Sequence, residues 1–73
     1  MIEYLIVTEP AEDGTGFGAF VPDLPGCVAT GASIEEVEGE IREAIEFHLE
    51  GMREDGVPIP TPQSKVDYVE VSG

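Results

Sequence analysis

The chain is poor in the residues that staple small proteins: it holds one cysteine and one histidine in 73 residues. A single thiol excludes an internal disulfide, and no Cys and His cluster is present to hold a structural zinc. Basic residues are nearly as scarce, three against sixteen acids, for a formal net charge of −13. Nucleic acid binds proteins by exchanging its counterions for Lys and Arg, so direct contact with DNA or RNA is not expected. The same shortage disfavours an anionic membrane surface. No apolar run approaches the ~18 residues of a membrane span. The N-terminus begins as a strand, without a basic region or an apolar signal core, so a cytoplasmic location is expected. A core this small rarely supplies more than ~3–5 kcal/mol. With disulfide and metal excluded, oligomerisation is the remaining staple, and a homo-oligomer, dimer or tetramer, is expected. The acidity itself has two readings: a soluble, self-repelling surface, or a face for a basic partner.

What the sequence does hold is one long helical pattern, from Ser33 to Gly56. Ser33 with Glu36 forms a capping box, which satisfies backbone donors of the first turn. Ile34, Val37, Ile41, Ala44, Ile45, Leu49 and Met52 then recur at helical spacing on one stripe. Most of the glutamates fall on the other side. Gly56 and then Pro58 supply the stop.

The rest of the chain reads as a sheet laid against that helix. Ile2 to Glu9 is rich in β-branched and aromatic residues and predicts a first strand. Asp13-Gly14 marks a hairpin turn, and Phe17 to Val21 a second strand antiparallel to the first. Gly18 is a candidate for close approach of another backbone. Pro22 and Pro25 break the ladder, and Pro25-Gly26 suits a turn with glycine at positive φ. Cys27 to Ala32 predicts a third strand, Pro58 to Pro62 a polyproline-like arm, and Lys65 to Val71 a fourth strand. The expected architecture is a single α+β domain over residues 1–73, with the order β-β-β-α-β. One helix covers only one face of such a sheet. Tyr4, Ile6 and Phe20, with residues of the fourth strand such as Tyr68, are then left for the second face, which marks an interaction site. Phe47, near the edge of the helix's polar face, is either a partner contact or a residue lying against the arm at Pro60 and Pro62.

No catalytic constellation emerges. The glycines at 14, 16 and 18 are followed by a strand, not by the helix N-terminus that a phosphate loop requires. Cys27 reads as a small apolar residue rather than a nucleophile served by His48, because no third group orients the base. His48 lies inside the apolar stripe without a second ligand at helical spacing and reads as a largely buried neutral histidine. A magnesium-dependent nuclease needs carboxylates converging from several elements, and the middle of the first strand has none. Neither metal nor cofactor is expected.

Three stretches together resemble one family. Phe17 to Cys27 (FGAFVPDLPGC), Gly31 to Val37 (GASIEEV), and a tail with Ala44-Ile45, Leu49, Gly56 and Ile59-Pro60-Thr61-Pro62 are similar to the HicB-like antitoxins of bacteria and archaea. Each piece is weak alone; the combination covers nearly the whole chain. The resemblance implies a partial RNase H-like fold, a mixed four-stranded sheet of order 3-2-1-4 with the helix crossing right-handed to a strand parallel to the first. It also implies a non-catalytic binding module whose partner is a small basic HicA-type toxin that cleaves RNA. The acidic surface would complement such a toxin. Longer members carry a C-terminal DNA-binding domain. The chain is expected to be a short member without one, so operator binding is not expected of it. Two alternatives come from other classes: a magnesium-dependent RNase H-like nuclease, and an oligomeric domain with no toxin partner.

Overall fold

A computed structural model describes residues 2–73. Three short strands, β1 (Val7–Pro10), β2 (Phe17–Phe20) and β3 (Val28–Gly31), are followed by one helix, α1 (Ile34–Glu54). The strands form one antiparallel sheet of order β1-β2-β3. The α+β class and the element order up to the helix match the sequence reading. The expected four-stranded mixed sheet of order 3-2-1-4 does not: the sheet has three strands.

The helix begins where its cap predicts. Ser33 Oγ accepts the Glu36 N–H at 3.1 Å. It ends in paired bonds over the last turn, Gly56 N–H to the Arg53 carbonyl and Val57 N–H to the Met52 carbonyl, with Gly56 at φ 70°. That pair is a Schellman closure, which satisfies carbonyls the helix would leave open. The 11–16 turn is closed by Gly14 N–H to Ala11 and Ala11 N–H to Gly16. Asp13 accepts from both the backbone and the hydroxyl of Thr15. Between β2 and β3, Cys27 N–H bonds the Leu24 carbonyl across Pro25 and Gly26, with Gly26 at φ 84°. Proline followed by a positive-φ glycine is the type II turn expected there.

The core lies between the sheet and α1. Ala19, Val21, Leu24 and Cys27 meet Val37, Ile41 and Leu49. Leu24 is fully buried, although it sits in a Pro-rich turn: the turn folds back and drops this side chain under the helix. Burial of such a side chain stabilises by about 1.5–3 kcal/mol. Close packing of β3 on the helix depends on Gly31. A methyl group there would lie 2.6 Å from the Val37 amide nitrogen. Gly18, proposed for such a role, has only the Ala29 carbonyl at 3.9 Å, an ordinary contact.

Two strand expectations are corrected. The first strand spans Val7–Pro10 rather than Ile2 to Glu9. The register pairs Val7 with Phe20. Beyond Phe20, the Val21 N–H is committed to the Cys27 carbonyl and Pro22 has no N–H, so residues 2–6 find no ladder partner. Residues 65–71 form no strand. The segment before them crosses the molecule. Ile59 packs on the core, the Tyr4 hydroxyl donates to the Pro60 carbonyl at 2.6 Å, and Asp23 clasps residues 63 and 64. From that root the C-terminal arm leaves the globule. The chain measures 48 × 29 × 19 Å, and its radius of gyration is 14.2 Å, against about 11 Å for a compact chain of this length.

Candidate functional site

Three surface features remain after the core is accounted for. The first is the outer face of the sheet. Val7 pairs with Phe20, and Phe20 with Val28, so one apolar row crosses all three strands on the side away from the helix. Phe20 is exposed, and Val28 is 65% exposed. Beside the row, the missing side chain of Gly18 leaves a shallow hollow of about 370 Å³ edged by Glu9 and Thr30.

The second is a groove of about 640 Å³ between residues 2–6 and the helix. Its apolar lining comes from Ile2, Tyr4 and Ile6 on one wall and Ile41, Ile45 and Leu49 on the other. Tyr4 and Ile6 pack against the core from this side. The expectation that they share the second face with Phe20 is corrected by alternation along the strand: Val7 is outward, so Ile6 and Tyr4 turn toward the helix. Arg42 stands at the groove's rim with Glu38 and Glu46.

The third is the helix side opposite the groove. Phe47 is 80% exposed there. That excludes its lying against the arm at Pro60 and Pro62. Glu36, Glu40, Glu43, Glu50 and Glu54 stand at helical spacings of 3, 4, 7 and 11 from Phe47 and are all exposed. Arg42 lines the groove, and neither it nor Arg53, the helix's two bases, stands at one of those spacings from Phe47. Phe47 therefore stands in an acidic ridge that no base of the helix neutralises.

The five predicted contact residues thus do not gather on one surface. Phe20 is on the sheet's outer face, Tyr4 and Ile6 are in the groove, Phe47 is on the acidic ridge, and Tyr68 is 90% exposed on the arm. The predicted turn and cap residues Asp13, Gly14, Pro22, Pro25, Gly26, Ser33, Glu36 and Gly56 occupy the turns and helix ends just described.

Sequence reasoning missed Asp23. Its carboxylate accepts the backbone N–H groups of Gln63 and Ser64, each at 3.1 Å, and the Ser64 hydroxyl at 3.0 Å. The Ser64 N–H is the main cause that holds this carboxyl below its usual range. The PDLPG run marks Asp23 only as a turn residue, and its partners are some forty positions away, so no local signal reveals the clasp. Cys27 is buried in the core, which pushes its thiol up and away from the thiolate that nucleophilic chemistry uses. His48 is half-buried on the helix. Among the described residues, no group of three or more His, Cys, Asp or Glu converges as a metal site would require, and no helix is long and apolar enough to cross a membrane.

Comparison with known proteins places this geometry. Residues 4–72 match the family model described as the HicB-like antitoxin of bacterial toxin–antitoxin systems. An uncharacterized 14.9 kDa protein of Haemophilus phage HP1 is 38% identical over 66 residues, covering 90% of this chain and 48% of that one. The chain thus spans about half the length of that relative. A UPF0150 protein of Helicobacter pylori is 40% identical over 55 residues, covering 75% of this chain and 76% of its own. A UPF0150 protein of Synechocystis is 39% identical over 57 residues, covering 78% and 71%. Among solved structures, a chain of the HicA3 and HicB3 toxin–antitoxin complex superposes with a TM-score of 0.65 at 25% identity, covering 84% of this chain and 72% of that one. With a family match over nearly its whole length and a fold shared with a toxin–antitoxin complex, the chain belongs to the HicB-like antitoxins of bacterial toxin–antitoxin systems.

Proposed function

We propose that this chain is a non-catalytic antitoxin module that sequesters a small basic HicA-like toxin in the cytoplasm, and that it docks the toxin on the helix side bearing Phe47. The observation that carries this reading is Phe47 itself, an exposed aromatic in a line of five glutamates along the helix, Glu43 and Glu50 nearest it, with no base of the helix in that line. Aromatic residues dominate interface energetics when a partner desolvates them, and the surrounding acids steer a basic partner and fix its orientation. A toxin that handles RNA is basic for the same electrostatic reason that this chain does not itself bind nucleic acid. Among the described residues no carboxylates converge as a metal site would require, which favours binding over the nuclease alternative. The single domain, the homo-oligomer, and a partial RNase H-like sheet completed by a fourth strand beside β1 belong to the same reading, with Phe20 and Tyr68 as further contacts.

Co-expression tests it. The protein encoded by the small open reading frame beside this gene is expected to arrest growth alone, to be neutralised by this chain, and to co-purify with it. Phe47→Ala is expected to weaken the complex at least about tenfold, ~1.4 kcal/mol, while leaving the helix content unchanged. Failure of both rescue and co-purification contradicts the reading.

A further inference from the structure

We propose that the C-terminal arm, residues 66–71, lies in the groove between residues 2–6 and α1 of a second copy, so that two copies exchange arms. The inference rests on the homo-oligomer part of the reading above and is independent of the toxin.

The chain carries both halves of a strand-addition contact and joins neither to itself. On one side is the arm. Val66, Tyr68, Val69 and Val71 are β-formers, and all four are among the exposed large apolar residues, Val69 at 82%. On the other side is the groove. Its wall at residues 2–6 runs beyond the last ladder pair, Val7 with Phe20, so the edge is not paired with β2. No residue of β2 or β3 lines it, which places it on the free side of the N-terminal segment. Its floor is the helix at Ile41, Ile45 and Leu49, where Ile45 is half-buried and the other two are buried. An extended peptide added to such an edge gains main-chain hydrogen bonds, with alternate side chains turned onto the floor. The lengths agree, six arm residues against five of edge. Charge opposes the contact: Asp67 and Glu70 on the arm meet a rim where Arg42 stands among Glu3, Glu38 and Glu46, so apolar burial and main-chain bonds must outweigh it.

The clasp explains why the arm reaches a neighbour rather than its own groove. Asp23 holds residues 63 and 64 at the turn that follows β2, and beyond that root the arm stays exposed rather than seated in its own groove. A reciprocal exchange is isologous: each copy gives one arm and receives one, the assembly closes at two, and no arm or edge is left over. It would supply from the partner the fourth strand that this chain does not form alone, and it brings more apolar surface to a core that is small for independent stability.

Salt gives the exchange a distinctive signature. Each copy carries −13. Raising ionic strength from about 0.05 M to about 0.5 M shortens the screening length severalfold and relieves that repulsion. The full chain in sedimentation equilibrium is expected to be a dimer of the 7.8 kDa protomer that tightens with salt. Val69→Pro removes an N–H from an arm that touches no core residue. It is expected to raise the dimer dissociation constant at least tenfold with unchanged helix content. Ile2→Asp, at an exposed position on the groove's rim, is expected to do the same. A dimer that both variants leave intact overturns the arm exchange while the homo-oligomer stands. A dimer sensitive to Val69→Pro but not to Ile2→Asp overturns the groove as the arm's seat. A wild-type chain that is monomeric throughout the salt range overturns both the exchange and the oligomer.

Discussion

Gly31 and Leu24 carry more of this fold than their positions in the sequence advertise. Gly31 is the last residue of β3, and a methyl there would press on the Val37 amide nitrogen at the start of the helix. Neither atom can give way, because both are main-chain or fixed to it. Gly31→Ala is expected to destabilise by about 1–3 kcal/mol, the usual cost of overpacking, read as a lowered urea midpoint. Leu24 is completely buried in a turn between two prolines. Leu24→Ala removes three carbons from the centre of a small core and is expected to cost about 2–5 kcal/mol, enough to unfold much of the population of so small a domain. A surface change such as Phe47→Ala is expected to stay within about 0.5 kcal/mol, so thermal melts of the three variants separate core from surface directly.

Local chemistry made the elements legible, and distant partners did not. Ser33 with Glu36, and Gly56 after the last turn, are signals confined to a few residues, and the helix begins and ends at them. Pro25-Gly26 named its own turn type. A strand is different, because its residues need a partner to become one. Ile2 to Ile6 and Lys65 to Val71 have strand composition, but the first group loses its ladder at Pro22 and the second leaves the globule from the clasp at Asp23 without pairing to a strand. The face of Tyr4 and Ile6 followed from register, which depends on where β2 stops. Of the candidate site, Phe47 was legible as an apolar residue on a polar face. The groove was not, since it is made from segments far apart in the chain. The clasp yields a pH prediction. The Asp23 carboxyl is lowered in the folded chain, chiefly by the Ser64 N–H. Its contribution is therefore fully present above the unfolded value of about 3.9 and is lost as pH falls through the lowered value. Protection of the Gln63 and Ser64 amides, taken as exchange relative to the intrinsic rate at each pH, is expected to hold above that range and to fall below it, ahead of the helix amides. Asp23→Ala is expected to lose that protection at neutral pH.

At the scale of the whole molecule, charge separates two kinds of contact. The net charge of −13 makes contact with a copy of itself repulsive and contact with a basic protein attractive. Self-association should therefore strengthen with salt and toxin binding should weaken, so a single titration series distinguishes them. The two surfaces also lie on opposite sides of α1, the groove at Ile41 and Ile45 and the acidic ridge at Phe47, so a dimer can still present a ridge from each copy. The most direct test is calorimetric titration of this chain with the protein of the neighbouring small open reading frame, at low and high salt, for wild type and Phe47→Ala. The account predicts binding that weakens as salt rises and falls at least about tenfold in the variant. No binding at low salt, or binding indifferent to both salt and Phe47, would contradict it.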